Sequence, residues 1–415
     1  MPSPSPKKNV VFHILQQHFL IAFLTYKLNA MKKNSSPRTA FLLHDLSPYR
    51  IPLYEQLTER LDDFQIFCLK APSPLPDCLK NRVSIFSTGK LHHTILKKIG
   101  IPLPSLKLIK ALKRWDPHVV VMEGMSNIGN DLFTLPFISK NKIPFIWWSL
   151  GYIPSQSHTL RARLGVPLQK WFLRHASASL AYSSFAKKYM ISLGADPKTL
   201  FVVHNTLDEK KLIIDAEKNK PRSVQLRKKL QLEDRPTAVF IGQINKGKRI
   251  DLLIEAFSEV QKKLKEKNPA LLIIGDGPSL KEHQDQAKEL GLEQDVLFVG
   301  QQTDEASAYL LLGDICVLPG LGGLAINHAF SHKIPIICGR ADGCEEDLVF
   351  TDETGIRLSE VTLESLTSAL IDTLSHLEKC KKMGENGFKL ITEKITMEHF
   401  TKQVEQAIRT AYSNH

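Results

Sequence analysis

The chain has 415 residues, 43% of them hydrophobic and 24% charged. This excludes a disordered or fibrous protein and suits two globular domains of roughly 200 residues each. The net charge of +12 is uneven: residues 1–205 hold 27 Lys+Arg against 10 Asp+Glu, and the remainder 28 against 33. A basic half that attracts anionic lipid, nucleic acid or a phosphorylated substrate therefore adjoins a mildly acidic one, although ordinary solvated lysines account for many of these charges. The six cysteines form no C-x-x-C pair, and Cys316 and Cys338 sit inside apolar runs. They read as buried free thiols of a reducing, cytoplasmic compartment, against a metal site or a disulfide framework.

In chain order, residues 10–24 are apolar but carry two His and two Gln. They are short for a spanning helix, which needs ~20 apolar residues, and no small-residue cleavage site follows. A natural start at Met31 makes residues 1–30 an N-terminal extension, either a mis-called start or a weak membrane anchor. Strands are predicted at 40–44, 64–69, 119–122, 144–148, 180–182 and 200–203. A helix is predicted at 52–61, with Leu53, Tyr54, Leu57 and Leu61 on one face. The charged stretch 211–236, broken by Asn219-Lys220-Pro221-Arg222, reads as a linker region. The pattern then restarts, with strands at 238–241, 271–274, 296–299, 315–318 and 334–338. Helices are predicted at 249–265 and 306–312, with two more ending near 290 and 331. This alternation predicts two doubly wound α/β domains, 31–210 and 237–395, and a C-terminal helix, 396–415, free to pack back on the first.

Ligands of open parallel sheets sit beyond the carboxyl ends of the strands. Three loops fall at that edge of the second domain. Gly242-Gln243-Ile244-Asn245-Lys246-Gly247-Lys248-Arg249 joins a strand to a helix, and cations at a helix start suit a diphosphate; a solvated loop is the even alternative. Gly275-Asp276-Gly277-Pro278 lacks the third glycine of a dinucleotide fingerprint and reads in part as a tight turn. In the third loop, Gly320, Gly322 and Gly323 precede a helix start, where exposed amides could cradle a phosphate. The alternative there is a turn that needs glycine only for its positive φ angles.

The runs FIGQINKGKRIDLLIEAF (240–257), LLIIGDGP (271–278), VLFVGQQ (296–302) and CVLPGLGGLAINHAFSHKIPII (316–337) resemble the group-1, family-4-type retaining glycosyltransferases. Order, spacing and strand context match over about 237–358. LSPYRIPLYEQL (46–57) and AYSSFAKKYMISLGADPKTLFVVHNTLD (181–208) match more loosely. The resemblance implies the GT-B fold, two facing Rossmann-like domains with a cleft between them. The nucleotide-sugar donor would lie on 237–395 and the acceptor on 31–210. It implies no cofactor or metal beyond the nucleotide diphospho-sugar co-substrate, and transfer with retention by front-face departure and attack. Lys248 matches the family's diphosphate-binding lysine. Gln243 stands where an arginine is usual, with Arg249 the neighbouring cation. The family's paired glutamates fall on Gly320 and His328, as in a subgroup that reads P-G-x-x-G-L-x-x-x-H-A. His328 and Leu324 belong to that motif, and the resemblance places His328 near the ribose or the phosphates; a helix-face histidine without a ligand is the alternative. Gly242, Gly275, Phe298 and Gly300 complete the donor set, the last two near the nucleobase, and Glu346, near Gly343, falls close to an acidic position that meets the donor in some members.

In the first domain, Asp45, Tyr49 and Arg50 follow the first strand, and Arg50 is placed either against a phosphate or in a salt bridge that fixes the first helix. Glu123 follows the strand predicted at 119–122, where a carboxylate could orient an acceptor hydroxyl. It and His328 are the catalytic candidates. Trp148 is a sugar-stacking candidate, with core packing the commoner use of tryptophan. Lys97, Lys98, Lys107, Lys110, Lys113 and Arg114 interleave with Leu and Ile, a pattern that fits either an anionic membrane surface or solvated helix faces. No nucleic-acid module is evident. The expected function is a glycosyltransferase of bacterial surface polysaccharide synthesis, peripheral on the cytoplasmic face of the membrane. The competing readings are a degenerate member that binds nucleotide sugar without transfer and a nucleotide-sugar epimerase.

Overall fold

The computed structural model describes residues 36–86, 105–151 and 160–415. The extension 1–30 and Lys97 and Lys98 lie outside the described residues. The short, uniformly apolar runs become strands of parallel sheets, because such sheets are covered by helices and bury both faces. In the first domain β1 (Thr39–Leu42), β2 (Phe64–Cys68), β3 (Val83–Ile85), β4 (Val119–Met122), β5 (Phe145–Ser149), β6 (Ala178–Ala181) and β7 (Leu200–Val202) form one parallel sheet, in the order β3-β2-β1-β4-β5-β6-β7. In the second, β8 (Thr237–Ile241), β9 (Ala270–Ile274), β10 (Val296–Gly300), β11 (Ile315–Leu318), β12 (Ile336–Cys338) and β13 (Gly355–Arg357) run in the order β10-β9-β8-β11-β12-β13, again parallel. The expected pair of Rossmann-like α/β domains is present. The edge strands β3 and β13 escaped sequence reading because three residues of mixed burial carry no usable period.

In each sheet the strand order reverses beside its first strand, between β1 and β4 and between β8 and β11. The loops leaving neighbouring strands there diverge to opposite faces and open a crevice. This positions the loops after β1, β4, β8 and β11 as ligand-binding elements.

The first domain carries α1 (Ile51–Thr58), α2 (Leu106–Trp115), α3 (Ile128–Lys140), α4 (Leu160–His175) and α5 (Ser184–Ser192). The next helix corrects the sequence reading. Most of the stretch taken as a linker belongs to α6 (Glu209–Lys229), a 21-residue helix of the second domain. Asp208 caps it by accepting the Lys211 amide at 3.2 Å. Pro221 removes one backbone donor from its interior, but tertiary packing overrides that local signal. The helix lies against α9 (Ala306–Leu310) and α10 (Ala325–Ser331), and Arg222 binds Glu305 through two nitrogens at 2.7 and 3.3 Å. The remaining helices of this domain are α7 (Ile250–Lys263) and α8 (Leu280–Glu289), before α9, and α11 (Glu345–Leu348), α12 (Leu363–Ser375) and α13 (Leu377–Glu393), after α10.

The last helix, α14 (Met397–Ser413), packs back on the first domain. Its Met397, Phe400, Val404, Ala407 and Ile408 share one core with Phe41, Leu53, Tyr54 and Trp148. Two crossings therefore join the domains, and they are tied together. Glu209 accepts the Met397 amide at 2.9 Å, and the Thr206 hydroxyl donates to the Ile395 carbonyl at 3.2 Å. All six cysteines are free and five are buried, Cys78 being exposed. No helix among the described residues is long and apolar enough to cross a membrane.

Candidate functional site

The crevice between β8 and β11 is built by backbone pressed on backbone. The Gly242 amide donates to the Ile274 carbonyl at 3.0 Å, and the Gly275 amide to the Gly300 carbonyl at 2.9 Å. A Cβ on Gly275 would stand 1.9 Å from the Gly242 oxygen, and one on Gly277 2.2 Å from the Ile244 oxygen. The Gly275-Asp276-Gly277-Pro278 loop therefore buttresses the Gly242 loop through close approach, which explains its glycines better than phosphate contact does.

Lys248 closes the 3-10 turn Lys246–Lys248, whose Gly247 amide is fixed by the Asn245 side chain at 3.0 Å. The glycine loop after β11 docks on this turn: the Leu321 amide donates to the Gly247 carbonyl at 3.2 Å, and the Lys248 ammonium donates to the Leu321 carbonyl. Burial pushes the Lys248 ammonium below its ordinary pKa, opposed by the charge of Asp342. A desolvated cation held at a switch point, against a rim of glycines, is suited to a diphosphate. Gln243 is exposed and bonded to Asn245 at 3.2 Å. Arg249, the residue before α7, pairs with Asp251 in that helix's first turn at 3.6 Å.

Of the two positions that correspond to the paired glutamates, Gly320 has no room for any side chain: a Cβ would lie 2.1 Å from the Gly247 oxygen. His328 lies on α10 beyond Gly322, Gly323 and Leu324. Its ring stands 5.1 Å from that of His332. Burial, with His332 adding to it, pushes His328 down to about 3. The imidazole is neutral at physiological pH, a hydrogen-bonding group and not a cation. Phe298 lines a groove of 390 Å³ with Leu230, Gln284 and Ala287 on the outer edge of the sheet, because β10 is an edge strand; Gly300 ends that strand. Glu346 is bound to Arg340 at 2.8 Å beside a 470 Å³ pocket. The acidic neighbours missed from sequence are Asp342 and Asp347. Asp342 lies across the glycine loop from Lys248. Asp347 accepts the Ser184 amide at 2.7 Å and approaches the His204 Nε2 at 3.5 Å, which joins the two domains.

On the first domain, Glu123 accepts the His44 amide at 3.0 Å, linking the ends of β1 and β4 at the switch point. Burial pushes its carboxyl up, partly offset by that amide and by Arg50. Asp45 lies 3.3 Å from the His44 ring nitrogen, and Tyr49 is exposed beside them. Arg50 and Trp148 are corrections. The Arg50 guanidinium is buried among the rings of Tyr49, Trp148, Tyr182 and Phe400, each centred 4.9–5.1 Å away, and donates to Asn205 at 3.0 Å. It is an interior strut at the domain crossing, neither a phosphate ligand nor a salt bridge. Trp148 is buried between Tyr182 and Phe400, leaving no face for a sugar. Core packing is the alternative use for Trp148, but its partner cannot be read locally, because Phe400 arrives from α14, some 250 residues later in the chain.

Residues 223–390 match the family described as glycosyl transferases group 1, and residues 51–211 match glycosyltransferase family 4. Each half of the chain thus matches a glycosyltransferase domain model. The chain is 28% identical over 174 residues to the GDP-mannose-dependent alpha-(1-6)-phosphatidylinositol monomannoside mannosyltransferase of Mycolicibacterium smegmatis. That match covers 39% of this chain and 45% of the relative, so it spans about half the length of that curated protein. The fold resembles Anabaena Alr3699/HepE in complex with UDP-glucose, with a TM-score of 0.64, 18% identity, and 89% and 98% of the two chains covered. It also resembles WaaG, a glycosyltransferase involved in lipopolysaccharide biosynthesis, with a TM-score of 0.65, 13% identity, and 89% and 99% coverage. At these identities the structural likeness establishes the GT-B fold.

Proposed function

We propose that the protein transfers a glycosyl group, with retention, from a nucleotide diphospho-sugar to a glycan or lipid-linked acceptor in bacterial surface polysaccharide synthesis. The observation that carries this reading is the half-buried Lys248 ammonium docked on the glycine loop at the β8/β11 switch point. In this reading Lys248 leaves the Leu321 carbonyl to bind the diphosphate and stabilises it as leaving group. The glycine loop lets the diphosphate approach main chain without side-chain obstruction, so the site calls for no metal or other cofactor. Neutral His328 hydrogen-bonds the ribose. Glu123 orients the acceptor hydroxyl from the opposing switch point. The acceptor's lipid would be met on the cytoplasmic membrane face by α2 and α3, where Leu106 and Phe133 are 67% and 55% exposed beside Lys107, Lys110 and Lys113.

The test is calorimetric titration of UDP- and GDP-sugars into the wild-type chain and Lys248→Ala. A charge-assisted contact is worth ~1.5–3 kcal/mol, so the donor Kd should rise by about 10- to 100-fold. An unchanged Kd refutes the diphosphate assignment. Retention is tested by the anomeric configuration of the product formed on a lipid diphosphate-linked acceptor; binding without turnover would mark a member that does not transfer.

A further inference from the structure

The glycine loop brings almost no side chains to the donor crevice, so the group that reads the sugar must come from elsewhere. The neighbouring strand supplies one. The loop after β12 leaves the same carboxyl edge of the sheet as the glycine loop, because β12 pairs directly with β11. It carries four carboxylates, Asp342, Glu345, Glu346 and Asp347. Three are committed within the protein. Glu345 accepts the amides of Ala341 and Gly343 at 2.7 and 3.0 Å, Glu346 holds Arg340, and Asp347 holds Ser184 and His204.

Asp342 is placed differently. Its Oδ1 accepts the Cys344 amide at 3.1 Å, which fixes the side chain. Its Oδ2 faces the glycine loop, 3.9 Å from where a Cβ on Gly323 would stand. Its charge acts on Lys248, yet among the described residues the two do not approach within the 4.0 Å of an ion pair. A cation and a carboxylate thus confront each other across the mouth of the loop without closing on each other. A ligand that satisfies both must be anionic at one end and rich in hydroxyl donors at the other. The carboxylate cannot sit against the diphosphate, because like charges repel in a partly desolvated site.

We propose that Asp342 is the sugar-reading residue of the donor site, its carboxylate accepting hydrogen bonds from hydroxyls of the glycosyl group while Lys248 holds the diphosphate. This deepens the function proposed above and rests on it. Hydroxyl-to-carboxylate bonds are charge-assisted and directional, so Asp342 discriminates between sugars that present hydroxyls toward it and epimers that do not.

The experiment titrates UDP, GDP, UDP-glucose, UDP-N-acetylglucosamine and GDP-mannose into wild type, Asp342→Asn and Asp342→Ala by calorimetry. For the sugar nucleotide that wild type prefers, Asp342→Ala should weaken binding about 10- to 100-fold, and Asp342→Asn by less. The matching free nucleoside diphosphate should bind both variants within about twofold of wild type, which also reports that they are folded. Equal weakening of the diphosphate and its sugar assigns Asp342 to orienting Lys248 and overturns the proposal. Unchanged binding of both overturns it too, as does loss of all binding with an unfolded circular dichroism spectrum in both variants, which would make Asp342 structural. Failure of wild type to bind any of the five ligands overturns the donor reading itself, and the role of Asp342 with it.

Discussion

Replacing Gly320 by alanine tests whether the donor crevice depends on backbone contact. A Cβ there would stand 2.1 Å from the Gly247 carbonyl oxygen and 2.8 Å from the Lys248 Cα and carbonyl carbon. Ordinary contact begins near 3.4 Å, so the glycine loop and the lysine turn must part by roughly 1.3 Å in a region packed too densely to absorb the change. No rotamer relieves the clash, since all three atoms are main chain. Overpacking of this kind costs ~1–3 kcal/mol of stability. The larger effect falls on function: a displacement of about 1 Å at a reacting group costs on the order of 10²-fold in rate, or about 2.7 kcal/mol of barrier. The assay is steady-state transfer with the preferred sugar nucleotide, alongside urea unfolding. Gly320→Ala should lower kcat/KM on the order of 10²-fold with a modest shift in the unfolding midpoint. Gly291→Ala is the control. Its Cβ meets nothing within 4 Å and its φ is +69°, so it should cost about 1–2 kcal/mol of stability and leave kcat/KM alone. A folded Gly320→Ala with wild-type kcat/KM refutes the reasoning.

Three further outcomes are expected. Arg50→Ala should lower stability by roughly 2 kcal/mol or more, the worth of a desolvated cation–π contact, without changing nucleotide affinity; the reverse pattern in melting and titration would return Arg50 to the ligand site. Burial pushes His328 down to about 3 and His332 to about 4, from an ordinary 6.5. The unfolded chain therefore takes up protons that the folded one refuses, and stability, complete above about pH 6.5, falls as the pH drops toward 3–4. His332→Gln should flatten that acid limb in urea titrations at several pH values, and an unchanged limb would show that His332 is already charged when folded. Changing Lys107, Lys110 and Lys113 together to glutamate removes about 1 kcal/mol of attraction per lysine, so sedimentation with phosphatidylglycerol vesicles should fall by at least 10²-fold; equal binding would place the membrane contact elsewhere.

Much of the architecture could be read from local pattern. Uniformly apolar runs such as 271–274 and 315–318 can be satisfied only between two helical layers, so strand positions, the parallel sheets and the doubly wound class followed from the residues themselves. The turn that holds Lys248 and the close-packed glycines was likewise legible as a strand-to-helix loop, because its geometry depends on the residues immediately around it. The stretch 211–236 was not: Pro221 and the charges marked a break, and only the surface of α9 and α10 makes 211–229 a helix. Arg50 and Trp148 stood beside a strand end like any cleft residue, until α14 returned from the far end of the chain with Phe400 and enclosed them. Asp342 was one of several carboxylates in a row, distinguished only when three neighbours found partners and its own oxygen was left facing the glycine loop. The sequence by itself determined which segments bury their backbone and which loops turn tightly at the carboxyl edge of the strands, since period and glycine spacing act locally. The tertiary structure alone decided which polar side chains are spent on holding the domains together and which remain to meet a ligand, since a side chain's partner is set by whatever distant segment is folded against it.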